Sequence, residues 1–257
     1  MFTIFGYPIY SGYKITERIN IMIFKKDIEV DVHEVDFNGV ARASALMRYI
    51  QTAAQSQLSE NGMSYDNLKD MNRAFLLSRI TMEFTEPVRA YDKLTALTFP
   101  CESRGFSFFR CYALEKEGRT IGRAVSAWAL IDTRTRGLVR VSDFELGLAT
   151  HEPHELVLSR FLMPRVLEEV GEYKVGYGIT DQNRHMNNTT YPDMYSTYLP
   201  LEGKRIHTIS ISYQAEAPAG ELLTVLRGID ERGVYYFRTL REDGRVNTEA
   251  EVLLADL

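Results

Sequence analysis

The sequence predicts an α+β fold in which one module, an antiparallel curled sheet packed around a central helix, occurs twice in tandem. A short segment recurs: EVDFNGVAR at 34–42 and ITDQNRHMN at 179–187 share Asp-x-Asn, at Asp36/Asn38 and Asp181/Asn183, 145 positions apart. Each segment is followed by one helical stretch and then by four strand-like runs, the order of an α+β module. Matched residues also keep their order through the rest of each copy: Phe84 with Tyr213, Leu94-Thr95 with Leu223-Thr224, Gly118-Arg119 with Gly244-Arg245, and Ala124 with Ala250. The spacing falls from 145 to 126 along the chain, so the second copy has shorter loops.

Residues 1–24 lack the basic start and unbroken apolar run of a signal peptide and are read as an N-terminal extension. The first module covers 25–137. Its helix lies at 42–60, where Leu46, Met47, Ile50, Ala53, Ala54 and Leu58 share one face. Strand-like runs follow near 75–86, 92–101, 106–115 and 119–132. Residues 122–131, GRAVSAWALI, are apolar at both parities. That strand should be covered on both sides, as in a sheet wrapped around a helix. Residues 138–170, rich in charge and carrying Pro153 and Pro164, read as a linker. The second module, 171–257, has its helix near 189–199 and runs near 206–216, 221–229, 233–240 and 245–255.

Composition narrows the function. The chain has 257 residues, 45 % of them apolar, and a net charge of −5, which argues against a general nucleic-acid binder. No run reaches the roughly 18 apolar residues of a membrane span. Two cysteines, Cys101 and Cys111, fit a reducing compartment, and a cytoplasmic setting is expected. They fall on a hairpin turning near Ser103-Arg104-Gly105, which sets Cys101 opposite a residue near 107 and argues against a disulfide. Their spacing does not suit zinc, and no metal or cofactor is expected.

The chemistry concentrates in Asp181-Gln182-Asn183-Arg184-His185-Met186-Asn187-Asn188-Thr189-Thr190-Tyr191-Pro192. As local structure this is a capped loop entering a helix, with Pro192 in the first turn biasing Tyr191 toward an extended shape. The repeat shows more. The first copy has Val40 where the second has His185, and Arg42 where it has Asn187, so only one copy keeps a group that titrates near neutral pH. Donors near Asn187–Thr190, with Asn183 and Asn188 beside them, suit a developing oxyanion. A base from elsewhere is needed, and Glu216 is a candidate, an acid on the polar face at the end of the run Ser210–Glu216.

Asp181-x-Asn183-x-His185-x-Asn187-Asn188-x-x-Tyr191 resembles the signature of the acyl-ACP thioesterases, a tandem hotdog-fold family of plants and bacteria. The likeness extends to Gly118-Arg119, Ala124, Ser126, the lone Trp128, Asp132 and Arg136, and covers about 25–255. The resemblance implies two tandem hotdog modules and catalytic residues Asp181, Asn183, His185 and Glu216. It also implies hydrolysis of fatty acyl groups from acyl carrier protein (ACP), terminating fatty acid synthesis. Plant members follow the acid with a cysteine; here Ala217 follows Glu216, so a cysteine nucleophile at that place is excluded. Glu216 would then act as general base or attack directly, and His185 would protonate the leaving thiolate. Leu46, Met47, Ile50 and Phe75 are the expected acyl-tail lining, and Asn187 and Asn188 the expected contacts to the thioester. Arg160, Arg165, Lys174, Arg184, Lys204 and Arg205 are candidates for a basic rim facing the acidic carrier. A coenzyme A thioesterase, a hotdog dehydratase and a non-catalytic acyl-thioester sensor are the alternatives, and the chain is expected to act as a monomer or homodimer.

Overall fold

The computed structural model describes residues 23–257, so the extension read over 1–24 lies outside the described residues except for its last two. In chain order the elements are β1 (Phe24–Glu29), α1 (Ala43–Glu60), α2 (Tyr65–Asp70), β2 (Arg73–Phe84), β3 (Lys93–Pro100), β4 (Ser107–Lys116) and β5 (Arg119–Asp132). The short β6 (Leu138–Val139) leads into the connection. Then come β7 (Glu168–Lys174), α3 (Tyr191–Ser196), β8 (Lys204–Tyr213), β9 (Leu222–Ile229), β10 (Tyr235–Leu240) and β11 (Val246–Asp256). Short 3-10 turns occupy Val32–Glu34, Tyr177–Ile179 and Asn188–Thr190.

The expected repeat is present in three dimensions. The strand order is β1-β3-β4-β5-β2-β8-β11-β10-β9-β7, so each half is the reverse of the other, and all neighbours run antiparallel. The halves join where β2 pairs with β8. Ile80 faces Ile211 there, Met82 faces Ile209, and Thr81 faces Ser210 between them. These residues correspond at a spacing of 129, so a local two-fold axis passes through the Thr81/Ser210 pair. Thr81 Oγ1 donates to Ser210 Oγ at 3.2 Å, with both side chains buried.

α1 lies across the first half with Leu46, Met47, Ile50 and Ala53 in the core, as the three-four spacing predicts. The second helix is shorter than the 189–199 expected. Pro200 disfavours helical geometry at Leu199, and α3 gives way at Thr197. Tyr191 is not extended but helical (φ −58°, ψ −38°), because the 3-10 turn before it runs straight into α3. Its ring is buried edge-on against Tyr213 at 5.3 Å, and that packing overrides the local bias from Pro192.

Two expectations about the first module change. The hairpin turns one position later than expected, because Gly105 takes the left-handed turn position (φ 64°). The Cys101 N–H therefore bonds the Phe109 carbonyl, and Cys101 and Cys111 become diagonal neighbours on one face, their sulfurs 3.2 Å apart as free thiols. The second face of β5 is covered not by a helix but by the connection. Phe99, Cys101, Cys111 and Val125 form a small outer cluster capped by Leu156 and Leu158. His154 Nε2 reaches the Tyr112 and Ala124 carbonyls at 3.1 and 2.9 Å. Further on, the Ser159 N–H donates to Thr81 Oγ1 at 2.9 Å, which straps the connection over the two-fold axis.

Thr81→Val keeps the shape of the side chain but leaves the Ser159 N–H and the Ser210 hydroxyl without this partner. Unfolding in urea should show a loss of about 1–3 kcal/mol with an unchanged m-value.

Candidate active site

The two Asp-x-Asn loops are built alike. In the first, Asp36 Oδ1 accepts the N–H groups of Asn38 and Val40 at 2.8 and 3.2 Å. In the second, Asp181 Oδ1 accepts those of Asn183 and His185 at 2.8 and 3.4 Å. Each turn closes from the aspartate N–H to the carbonyl four residues on, Val40 or His185. Each also needs a left-handed residue, Gly39 (φ 70°) in one and Arg184 (φ 66°) in the other. Asp181 thus folds the loop from within, as an Asx turn does.

After the turn each loop runs antiparallel to the segment following β2 or β8. The Ala41 N–H bonds the Val88 carbonyl at 2.7 Å, and the Met186 N–H bonds the Ala217 carbonyl at 2.8 Å. The second copy adds a bond from the Ala219 N–H to the Arg184 carbonyl. This pairing brings Glu216 beside His185, with Nδ1 and Oε1 3.5 Å apart. His185 is about two-thirds buried, its Nδ1 makes no hydrogen bond among the described residues, and Glu216 is half-exposed. By the same register the residue equivalent to Glu216 is Pro87. The first copy therefore lacks both members of the dyad, with Val40 and Pro87 in their places.

A third difference lies underneath. Asn247 on β11 is wholly buried, where the first copy has Ile121. Its Nδ2 donates to the Ala215 carbonyl at 2.5 Å and to Tyr191 Oη at 3.1 Å, and its Oδ1 accepts from Thr239 Oγ1 at 2.9 Å. Its carbonyl receives the Gln214 and Ala215 N–H groups. Asn247 thus anchors the segment that carries Glu216. Tyr213 Oη donates to the Asn188 carbonyl at 2.8 Å. Burial raises the pKa of both the Tyr213 and Tyr191 phenols, so both stay protonated. Sequence reasoning passed over Asn247. The available signal was an amide inside an apolar strand whose counterpart in the other copy is isoleucine.

Of the other predicted contacts, Asn187 is a helix cap, its Oδ1 taking the Thr189 N–H and hydroxyl. The N–H groups of Asn187, Thr189 and Thr190 are all engaged, so the donor row expected at 187–190 reduces to the Asn188 N–H. Asn188 Oδ1 is buried without a partner among the described residues. Asn183 is exposed and meets the first copy through Tyr65 Oη, which donates to its Oδ1 at 2.9 Å.

Leu46, Met47 and Ile50 are in the closed core. Leu46 borders a cavity of about 470 Å³ beside the first copy's own loop, with Val40, Phe84 and Ile206. Phe75 stacks edge-on with Phe108 at 5.3 Å and Phe144 at 6.4 Å. Within the basic set, Arg205 is tied to the Phe84 and Thr85 carbonyls and Lys204 lies 3.8 Å from Asp256, whereas Arg184 is exposed next to His185. No cluster of three or more metal-binding side chains occurs among the described residues. No described helix is long and apolar enough to cross a membrane.

Comparison with known proteins places this arrangement. Residues 22–146 match the model of the acyl-ACP thioesterase N-terminal domain, and residues 166–253 match that of the acyl-ACP thioesterase C-terminal domain. An oleoyl-acyl carrier protein thioesterase of Arabidopsis thaliana is 23 % identical over 79 % of this chain and 62 % of its own length. An acyl-[acyl-carrier-protein] hydrolase of Cuphea viscosissima is 21 % identical over 84 % of this chain and 57 % of its own. The chain therefore spans about three-fifths of these relatives. Among solved structures, an acyl-ACP thioesterase from Bacteroides thetaiotaomicron superposes with a TM-score of 0.84 at 22 % identity, over 91 % of this chain and 98 % of that one. A 12:0-ACP thioesterase from Umbellularia californica gives 0.79 at 15 % identity with the same coverage. At these identities the structural likeness carries the fold, a tandem hotdog.

Replacing Asn247 by Ala removes the anchor of the 214–217 segment and strands the Ala215 carbonyl, while the Thr239 hydroxyl keeps Thr248. A loss of about 1–3 kcal/mol is expected in equilibrium unfolding. The size of the loss reads how far that segment depends on one buried amide.

Proposed function

Because the chain belongs to the acyl-ACP thioesterase family, we propose that it hydrolyses fatty acyl-ACP to free fatty acid and holo-ACP, ending chain growth in fatty acid synthesis. The observation that carries this reading is the one-sided chemistry of the repeat. His185, Glu216 and Asn247 stand where the first copy has Val40, Pro87 and Ile121.

In the proposed reaction the thioester carbonyl lies against the Asn188 N–H and the Asn183 amide, which receive the negative charge as it develops. Glu216 takes a proton from water as the water oxygen attacks the carbonyl carbon. The tetrahedral intermediate collapses with cleavage of the C–S bond, and His185 passes a proton to the departing pantetheine thiolate. A covalent route, with Glu216 attacking to form an acyl anhydride that water then opens, uses the same two residues. The 3.5 Å separation of His185 Nδ1 and Glu216 Oε1 suits either route, since such contacts tighten once substrate excludes water. Asp181 keeps the loop in shape.

The acyl tail is assigned to the first module, where Leu46, Met47 and Ile50, packed in the core, and Phe75, packed on Phe108, would have to part to line it, with burial worth about 0.8 kcal/mol per methylene. Arg184, exposed beside the dyad, is the basic residue best placed to meet an acidic carrier. The site draws on both copies within one chain, so the proposal needs no second subunit. The cytoplasmic setting read from the sparse cysteines stays part of it.

Thiol release from a panel of acyl-ACPs tests the reading. His185→Ala and Glu216→Ala, each shown to be folded by circular dichroism, should lower turnover by about 10²–10⁴. Wild-type rates in either variant would remove that residue from the mechanism.

A further inference from the structure

The equivalent asparagines of the two loops are held differently. Asn38 is fully engaged by the opposite copy: its Oδ1 accepts the Gly203 N–H at 3.1 Å, and its Nδ2 donates to the carbonyls of Leu201 and Lys204 at 2.7 and 3.1 Å. That is a staple across the two halves. Asn183 sits at the same place in the same turn and also reaches the opposite copy, but through one side-chain hydroxyl. Tyr65 Oη donates to Asn183 Oδ1 at 2.9 Å, and Asn183 Nδ2 has only a long contact, 3.4 Å, with Asp181 Oδ2.

An amide oxygen fixed by a donor fixes the opposite edge of the amide too. With Oδ1 occupied by the Tyr65 hydroxyl, the NH₂ group must face the other way, as a donor. Without that hydroxyl the side chain could rotate and offer its oxygen, which would repel a developing oxyanion. The backbone that carries the tyrosine is tied down, while the ring stays exposed. The residue begins α2 directly after the N-cap Ser64, whose Oγ accepts the Asn67 N–H, and Asn67 Nδ2 ties back to the Gly62 carbonyl at 2.8 Å. Tyr65 thus projects from the start of α2 in the first copy onto the second copy's loop.

We propose that Tyr65 is a positioning residue for thioester hydrolysis, holding the Asn183 amide across the boundary between the copies so that its NH₂ group faces the reacting carbonyl. This rests on the reading of Asn183 as a donor in the proposed function. The first module then supplies part of the catalytic geometry in addition to lodging the acyl tail.

The test is a double-mutant cycle on the full chain with acyl-ACP as substrate: wild type, Tyr65→Phe, Asn183→Ala and the double variant, with kcat and KM measured separately and Tm recorded for each. Tyr65→Phe keeps the ring at a half-exposed site, so Tm should hold. The expected result is a fall in kcat of about ten-fold, part of the 10²–10³ that loss of a whole oxyanion donor costs, with KM within about two-fold. In the Asn183→Ala background the same change should have no further effect. Unchanged kcat in Tyr65→Phe, or an equal fall with and without Asn183, would overturn the inference while leaving the proposed function in place. Full activity of Asn183→Ala, or no hydrolysis by the wild type, would instead remove the reading of Asn183 and the role of Tyr65 with it.

Discussion

The antiparallel pairing of β2 with β8 is the constraint on which the rest of the molecule depends. It makes one sheet of two half-sheets and removes an exposed edge from each. It also sets the relation between the copies. Once Thr81 faces Ser210, the two Asp-x-Asn loops each have a neighbour in the other half: the first meets the turn between α3 and β8, and the second meets the start of α2. The candidate site lies at one of these two junctions, with its dyad in the second half and Tyr65 of the first half beside it.

Within that frame the two junctions share a backbone and differ in side chains. The Asx turn, the left-handed residue and the bond from the residue after Val40 or His185 to the segment beyond β2 or β8 recur with nearly the same distances. Three positions then differ together: valine, proline and isoleucine on one side, histidine, glutamate and asparagine on the other. A buried asparagine costs stability unless all its groups are satisfied. Asn247 meets that condition by holding the segment after β8 that presents Glu216, so its cost supports the position of that carboxylate.

Much of this was legible in the sequence because the repeat is visible there. Asp36/Asn38 and Asp181/Asn183 fixed the copies, one helical stretch followed by strand-like runs gave the α+β class of each, and the loss of histidine at Val40 pointed to the second loop. What stayed hidden depends on tertiary register. Pro87 and Glu216 lie between the matched pairs Phe84/Tyr213 and Leu94/Leu223, but that Glu216 sits beside His185 shows only in the bonds that Val88 and Ala217 accept. The neighbourhood of Cys101 and Cys111 turned on one residue of hairpin register, set by Gly105. Tyr65 lies 118 residues from Asn183, and nothing in the local pattern around Ser64-Tyr65 marks a partner so far along the chain. The strapping of the connection over β5 and the two-fold axis was likewise invisible, since charged, proline-containing stretches read as free linkers.

The covalent join between the copies has a consequence for how such a protein can change. In a symmetric dimer of identical chains every substitution appears twice, so a residue useful at one junction must be tolerable at the other. Here a mutation is expressed once. Proline can stiffen one turn while glutamate occupies its counterpart, and a tyrosine can be added to α2 without a matching ring intruding at the far junction. Fusion thus doubles the number of independently adjustable positions around the candidate site, and one half can be altered while its counterpart is left untouched.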